Sequence, residues 1–123
     1  WPRVERGFLL HSYGGPLELV PELVELGAYF GFPGYFLHER KAAQRATFRR
    51  IPAHRILVET DAPDQHLPDA LNRFPLPDPL GGAALNHPAN LVTVYSGLAE
   101  LLGCPVEALR DQVRENFRQI FGC

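Results

Sequence analysis

Two side chains of the kind that bind metal ions each follow a short apolar run of the sequence. His11 comes directly after the run F-L-L, and Asp61 follows the run I-L-V and two further polar residues. Imidazole and carboxylate are common ligands of divalent cations, and a bound cation lowers the pKa of water and polarises a phosphoryl or carbonyl oxygen. The pair therefore indicates a metal site suited to hydrolysis. The alternative for Asp61 is that it only caps a turn or the start of a helix, as aspartate often does.

Two ligands are fewer than the three protein ligands that catalytic zinc sites usually have, so the other histidines were considered. His66 lies in the segment close behind Asp61 and could approach the site. His87 precedes a proline and could either face the site or cap the helix that follows. His38 and His54 flank a basic segment, and we expect both of them on the surface.

Both apolar runs belong to an alternation of strands and helices. The predicted strands are 7–11, 28–33 and 56–58, and the predicted helices between them are 16–26 and 38–50. This order and spacing are typical of parallel βαβ units and predict an α/β fold. The carboxyl ends of parallel strands meet at one edge of a sheet, where ligands bind in folds of this class. Both candidate ligands should therefore lie at that edge.

A long proline-rich segment and two helices complete the chain. Residues 64–86 contain the stretch P-L-P-D-P-L-G, whose turn-forming residues predict a loop. A loop of this length in a compact domain is usually functional or disordered, and its place behind Asp61 favours a wall or lid over the site. Pro88 and Pro105 each open a helix with an apolar face, and Gly103 ends the first of these helices.

The composition is that of an ordinary globular domain. The 123 residues are 46% hydrophobic and 21% charged, and the formal net charge of -2 argues against a general polyanion binder. No apolar run approaches the roughly 20 residues of a membrane span, and the N-terminal W-P-R-V-E-R is not followed by the apolar region of a signal peptide. Cys104 and Cys123 lack a metal-binding spacing, which predicts reduced thiols in a cytoplasmic protein.

A basic stretch occupies residues 40–55. It holds six of the twelve Lys and Arg residues of the chain and could meet phosphate groups. Such a run is more often the solvated face of an outer helix, and no aromatic residues are interleaved along its exposed side. The solvated face is therefore the preferred interpretation.

Five segments together carry a resemblance to a known family. They are H-S-Y-G-G at 11–15, L-G-A-Y-F-G-F-P-G at 26–34, I-P-A-H-R-I-L-V-E-T-D-A-P at 51–63, N-H-P-A-N-L at 86–91 and E-N-F-R-Q-I-F-G at 115–122. In this order they resemble the C-terminal half of a TatD-family metal-dependent hydrolase, within the amidohydrolase superfamily. The E-T-D-A-P element with the upstream histidine is the most specific of them.

The resemblance implies a partial TIM (β/α)8 barrel as the fold of a single domain over residues 1–123. The chain would supply about the last three βα units and the C-terminal helices, because a complete barrel needs about 250 residues. The family's opening H-x-H pair, bridging glutamate and strand-five histidine have no counterpart here. A chain of this kind exposes strand edges and an apolar face, which predicts self-association or pairing with the missing barrel half. We expect the chain alone to bind metal weakly and to turn over little substrate.

The resemblance also assigns roles to individual residues. It makes His11 a metal ligand, and it makes Asp61 a metal ligand that also accepts a proton from the attacking water. The implied cofactor is a divalent ion, such as zinc, magnesium or manganese, and the implied partner is DNA, with no membrane involved. His66, Asn86 and His87 are candidates for contacts with the substrate.

Three functions follow as hypotheses. The first is a metal-dependent hydrolase of phosphodiesters, a deoxyribonuclease, of which this chain carries part of the metal site. The second is a non-catalytic truncated remnant or assembly module, because several of the family's ligands are missing from the sequence. The third keeps the superfamily and changes the bond, as an amide or lactone hydrolase.

Overall fold

A parallel three-stranded sheet forms the centre of the protein. The computed structural model describes residues 5–123; residues 1–4, with which the predicted domain and the stretch W-P-R-V-E-R begin, lie outside the described part. The strands are β1 (Phe8–Leu10), β2 (Ala28–Pro33) and β3 (Ile56–Glu59), and β2 lies between the other two with parallel pairing on both sides. All three predicted strands are therefore confirmed. Each is short and apolar, but only β2 is buried along its whole length, whereas Leu9 in the middle of β1 is exposed.

The first connection contains helix α1 (Val20–Leu26), which follows a 3₁₀ turn at Leu17–Leu19. Pro21 lies in the first turn of α1, where its missing N–H costs no helical hydrogen bond. Gly27 ends the helix with φ 99°, a left-handed conformation that glycine adopts without the clash of a Cβ atom.

The second connection contains helix α2 (Ala42–Phe48), which is shorter than the predicted helix over 38–50. His38 is the reason, because its backbone is extended with ψ 143° and therefore separates two 3₁₀ turns from each other. The His38 carbonyl accepts hydrogen bonds from the Lys41 amide and from the Arg45 guanidinium. The residues before Ala42 thus form a corner held by these bonds and not a helical turn.

Helices α3 (Leu91–Leu102) and α4 (Val106–Phe121) pack against the sheet. The core between the elements is aromatic, with Phe32 of β2 in an edge-to-face contact with Phe48 of α2 at 5.0 Å between ring centroids. Phe30, Phe32, Phe48, Ile56, Val94 and Leu98 are all fully buried. Burial of these large side chains is the main favourable term that holds the helices on the sheet.

The predicted loop over residues 64–86 has structure of its own. It contains a 3₁₀ turn at Asp69–Leu71 and a small antiparallel hairpin of β4 (Pro75–Leu76) and β5 (Leu85–Asn86). The segment is fixed to the body by Leu67, whose side chain is fully buried, and by Asn90, which bonds to the backbone of Phe74. It is therefore an ordered loop that these two residues anchor to the rest of the fold.

The described residues make up a mixed α/β fold with a parallel sheet, as predicted. That this sheet is part of a TIM (β/α)8 barrel stays a prediction. Within residues 5–123 no single helix is long and apolar enough to cross a membrane, and only the bent pair Pro88–Leu102 and Val106–Phe121, with 106° between its members, reaches that length and composition.

Candidate metal centre

The two predicted ligands meet at one edge of the sheet. His11 directly follows β1 and Asp61 lies two residues beyond the end of β3, and these strands flank β2 in parallel. The His11 Nε2 atom lies 3.4 Å from Asp61 Oδ1. A separation of fifty residues in the sequence is thus closed by the parallel order of three strands.

Glu59, the last residue of β3, completes a cluster with these two side chains. His11 Nδ1 lies 2.9 Å from Glu59 Oε2. The Ser12 amide donates a hydrogen bond to Glu59 Oε1 at 2.5 Å, and the Ser12 hydroxyl lies 2.9 Å from the same atom and 2.7 Å from Asp61 Oδ2. A hydroxyl has one proton, so it donates to one carboxylate at a time and couples the positions of both.

The backbone around the cluster makes room for these contacts. Gly31 lies in the middle of β2, and a Cβ atom at this position would come within 2.3 Å of Glu59 Oε2. The Glu59 carboxylate therefore occupies the space that a side chain at position 31 would need. Ser12 and Asp61 have φ angles of 45° and 58°, in the left-handed region that non-glycine residues rarely adopt. Strained backbone of this kind is concentrated at functional sites.

The cluster is open to solvent on the histidine side and buried on the acid side. The side chain of His11 is 63% exposed, whereas those of Glu59 and Asp61 are 16% and 6% exposed. The hydrogen bond that the His11 ring donates to Glu59 raises the pKa of His11 above its ordinary value, and the charges of Glu59 and Asp61 add to the increase against the opposing effect of burial. The site is thus a half-buried recess that holds two carboxylates, with the exposed His11 at its opening.

These residues fit a divalent cation. One nitrogen of His11 and one oxygen each of Glu59 and Asp61 all lie within 4.8 Å of one another. The His11 Nε2 and Asp61 Oδ1 atoms lie 3.4 Å apart, close enough that both would reach one divalent ion. Glu59 contacts the other ring nitrogen, Nδ1, which is how metal-binding histidines are usually oriented.

The three candidates for substrate contacts have different surroundings. His66 is half-buried and lines a cavity that Ser12 also lines, and its contact with substrate stays a prediction. His87 caps the 3₁₀ turn at the start of α3, where its Nδ1 accepts a hydrogen bond from the Ala89 amide at 3.0 Å. Of the two possibilities left open for His87, the structure shows the cap.

Asn86 lies 1% exposed beneath the turn that carries Asp61. Its side-chain Nδ2 atom donates to the Thr60 carbonyl at 2.7 Å and to the Asp64 carbonyl at 3.0 Å. Its backbone amide donates to the Pro63 carbonyl. The side chain therefore clamps the backbone on both sides of Asp61. A contact of Asn86 with substrate stays a prediction, and the observed contacts give it a supporting task.

Sequence reasoning did not single out Glu59 and Ser12 as members of the site. Two signals could have found Glu59. It has the parity of Asp61 in the strand, so both carboxylates point to the same side. A glycine inside the neighbouring strand, Gly31, also indicates that another group approaches the backbone closely. No comparable signal marks Ser12, whose role depends on the left-handed turn after β1.

The basic stretch is not a uniform solvated face. Arg49 and Arg50 are exposed, as expected, but Arg45 is half-buried and donates to the Phe36 carbonyl at 2.7 Å. His38 was also expected on the surface, and the structure shows it only partly exposed. It is half-buried, with its Nε2 atom 2.8 Å from the His66 carbonyl, because the corner before α2 turns the ring inward.

Comparison with known proteins gives a consistent result. Residues 2–122 match the family described as TatD related DNase. The 3'-5' ssDNA/RNA exonuclease TatD of Klebsiella pneumoniae (strain 342) is 32% identical over 123 residues, which cover 99% of this chain and 44% of that protein. The uncharacterized metal-dependent hydrolase YcfH of Escherichia coli (strain K12) is 31% identical over 115 residues, 94% of this chain and 39% of the relative. The chain thus spans less than half the length of these relatives.

Solved structures of this family share the fold. The TatD homolog YJJV of Escherichia coli K12 superimposes with a TM-score of 0.79 at 24% identity, over 96% of this chain and 41% of the other. A TatD family hydrolase of Entamoeba histolytica gives a TM-score of 0.71 at 17% identity, over 91% and 41%. The match over nearly all of the sequence, together with the cluster at the strand ends, shows that the chain belongs to the TatD related DNase family.

Proposed function

We propose that the protein carrying this chain hydrolyses phosphodiester bonds of single-stranded nucleic acid with the help of a divalent cation. The observation that carries the proposal is the convergence of His11, Glu59 and Asp61 within 4.8 Å at the carboxyl ends of β1 and β3. The printed names of the relatives support it, since one is an ssDNA/RNA exonuclease and another a metal-dependent hydrolase.

Each residue of the cluster has a separate role in the proposed reaction. His11 Nε2 and Asp61 Oδ1 would hold the cation, and Glu59 would keep the imidazole in the tautomer that leaves Nε2 free. A cation in this position lowers the pKa of water and polarises a phosphoryl oxygen. Asp61 accepts a proton from the attacking water, and Ser12 keeps both carboxylates in place through its amide and hydroxyl.

The proposed site extends beyond this chain. Three ligand residues are the usual minimum for a catalytic metal, and the exposed side of His11 leaves space for further groups. We therefore propose that the three strands form one sector of a TIM-type barrel, and that the other sectors, from the same polypeptide or a partner, supply the remaining ligands. The resulting protein would act in the cytoplasm.

The test is the activity of the full polypeptide with Mg²⁺ or Mn²⁺ on labelled single-stranded DNA and RNA. Asp61→Ala should lower kcat by at least about 100-fold, because one removed ligand or base usually costs that much. Asp64→Ala is the matched control, since this exposed aspartate lies three residues away and outside the cluster. Wild-type activity of the Asp61→Ala variant would contradict the proposal.

Two other outcomes would identify the alternative functions. Cleavage of amide or lactone substrates in place of nucleic acid would reassign the bond and keep the metal site. Absence of metal-stimulated hydrolysis by the full polypeptide, on any of these substrates, would favour a non-catalytic remnant or assembly module.

A further inference from the structure

A cavity of about 770 Å³ opens beside the metal cluster. Ser12, which bonds to Glu59 and Asp61, lines one part of it, and Tyr35, Arg40 and Lys41 line another. A molecule that fills the cavity can therefore touch these two cations and Ser12, whose hydroxyl lies against both carboxylates of the cluster, at the same time.

Tyr35 holds both cations. The Arg40 Nη2 atom donates to the Tyr35 hydroxyl oxygen at 2.7 Å, and its guanidinium carbon lies 5.1 Å from the centre of the ring. The Lys41 Nζ atom also lies 5.1 Å from that centre. Contacts of this kind between cations and an aromatic ring restrict flexible side chains and lower the entropy that binding would cost.

The two cations have no anionic partner of their own. None of the ion pairs in the part of the chain that the structure describes includes Arg40 or Lys41. Arg45, one helical turn further on, by contrast already donates hydrogen bonds to the Phe36 and His38 carbonyls. Two adjacent positive charges without a counter-charge attract an anion, and a guanidinium fork beside an ammonium group suits a phosphate.

We propose that Arg40 and Lys41, held by Tyr35, bind the phosphate next to the one that is cleaved. This inference rests on the proposed function, because it needs a strand whose scissile phosphodiester lies at the metal cluster. Both cations already cover the ring of Tyr35, so the subsite takes a phosphate and not a stacked base. The enzyme would thereby prefer substrates with at least two successive phosphates.

The first test compares a polymer with a substrate that has one phosphodiester. In the full polypeptide, the double variant Arg40→Ala with Lys41→Ala should raise KM for a short single-stranded oligonucleotide about tenfold, because it removes charge-assisted contacts. Its kcat/KM for bis(p-nitrophenyl) phosphate should not change, since this ester has no neighbouring phosphate. Tyr35→Phe removes only the hydroxyl that orients Arg40 and should give a smaller rise in KM.

The second test measures binding without cleavage. The dissociation constant for oligothymidylate is determined over a series of KCl concentrations with a chelator present. Loss of the contact with this one phosphate should reduce the magnitude of the slope of log K against log salt by about 0.7, the value for each neutralised phosphate of a single strand. If the alanine variant unfolds, Arg40→Gln with Lys41→Gln keeps the side-chain stems against Tyr35 and takes its place.

The matched control is Arg49→Ala with Arg50→Ala, which removes the same charge from exposed positions at the other end of α2. Equal changes in KM and in salt slope for the two double variants would overturn the subsite, because a general charge effect would explain both. Failure of the proposed function would look different. Asp61→Ala would then leave hydrolysis intact, and the salt slopes would still decide whether Arg40 and Lys41 bind phosphate.

Discussion

His11 is the residue whose protonation state decides whether the cluster can bind a cation. It is the exposed member, and the two carboxylates that face it favour the imidazolium form. A metal ligand must be the neutral imidazole, so protons and cations compete for this ring. The cluster without metal therefore favours a protonated His11, and cation binding to that form releases the proton.

A pH titration of His11 tests this arrangement. The pKa of His11 in the metal-free protein should lie above the ordinary 6.5, and Glu59→Gln should lower it, because the hydrogen bond from His11 to the Glu59 carboxylate is the largest cause of the increase. The stabilisation by this pair should be complete below about pH 6.5 and should fall as pH rises through the raised pKa. NMR of the His11 ring over a range of pH measures the pKa, and Glu39→Gln, at an exposed position, is the control. A pKa at or below 6.5 would contradict the account.

A substitution at Gly31 can test the geometry of the site with little effect on the stability of the fold. In Gly31→Ala the three heavy atoms nearest to the new Cβ would all belong to the Glu59 carboxyl group, the far end of a flexible side chain that can move away from it. We expect a change of less than about 1 kcal/mol in the free energy of unfolding, and metal affinity at least about tenfold weaker, because His11 loses its orienting partner. Calorimetric metal titration and thermal unfolding measure the two effects.

Gly14→Ala provides the comparison for this variant. It is the same substitution close to the same site, but the nearest atom to its new Cβ is the Ser12 carbonyl at 3.9 Å. It should bind metal as the wild type does. Equal metal affinities of Gly31→Ala and the wild type would show that the position of Glu59 is irrelevant.

Strand β3 is clamped at both ends by buried asparagines from elsewhere in the chain. Asn116 of α4, which is fully buried, donates to the Ala53 and Ile56 carbonyls at the start of the strand. Asn86 of β5 does the same for the Thr60 and Asp64 carbonyls beyond its end. The two clamps have similar chemistry and burial, but only the second holds the turn with Asp61.

Removal of either clamp should therefore destabilise the fold to a similar extent, but only removal of the Asn86 clamp should affect the metal site. Asn86→Ala and Asn116→Ala should each lower the free energy of unfolding by about 1–3 kcal/mol, because buried carbonyls lose their donors. Only Asn86→Ala should weaken metal binding as well. Urea denaturation and metal titration test the pair, and equal metal affinities for both variants would contradict the role of the Asn86 clamp.

The elements that were predicted correctly are those with a strong local signal. Strand β2 could be read from its aromatic run, and the end of α1 from Gly27. The hairpin of β4 and β5 was missed because its two-residue strands depend on tertiary anchors such as Leu67 and not on periodicity. Pairing of His11 with Asp61 followed from parallel topology, whereas the contacts of Ser12 depend on a left-handed turn that no residue type in the sequence announces.

At the scale of the whole molecule, the chain exposes surfaces that folded proteins usually cover. Within the described residues β1 pairs only with β2, so its other edge is open, and Leu9 in the middle of β1 is 38% exposed. Phe117 and Phe121 of α4 contact each other with tilted rings whose centroids lie 4.6 Å apart, and both are 47% exposed. An open strand edge with apolar side chains favours association with another chain or segment.

The isolated 123-residue chain should therefore self-associate. Leu9→Lys should reduce this association, because a lysine on an edge strand opposes pairing. Leu80→Lys is the control, since Leu80 is 93% exposed and lies in the loop away from the sheet. Sedimentation velocity over a range of concentrations measures the effect. A monomeric wild-type chain, or equal behaviour of the two variants, would contradict the prediction.

The central claim is that His11 and Asp61 bind one cation at the edge of the sheet. Anomalous diffraction from crystals of the full polypeptide grown with Mn²⁺ tests it most directly. The account predicts a manganese peak within coordination distance of both His11 Nε2 and Asp61 Oδ1. Manganese bound elsewhere in the crystal, with no peak between these two side chains, would contradict it.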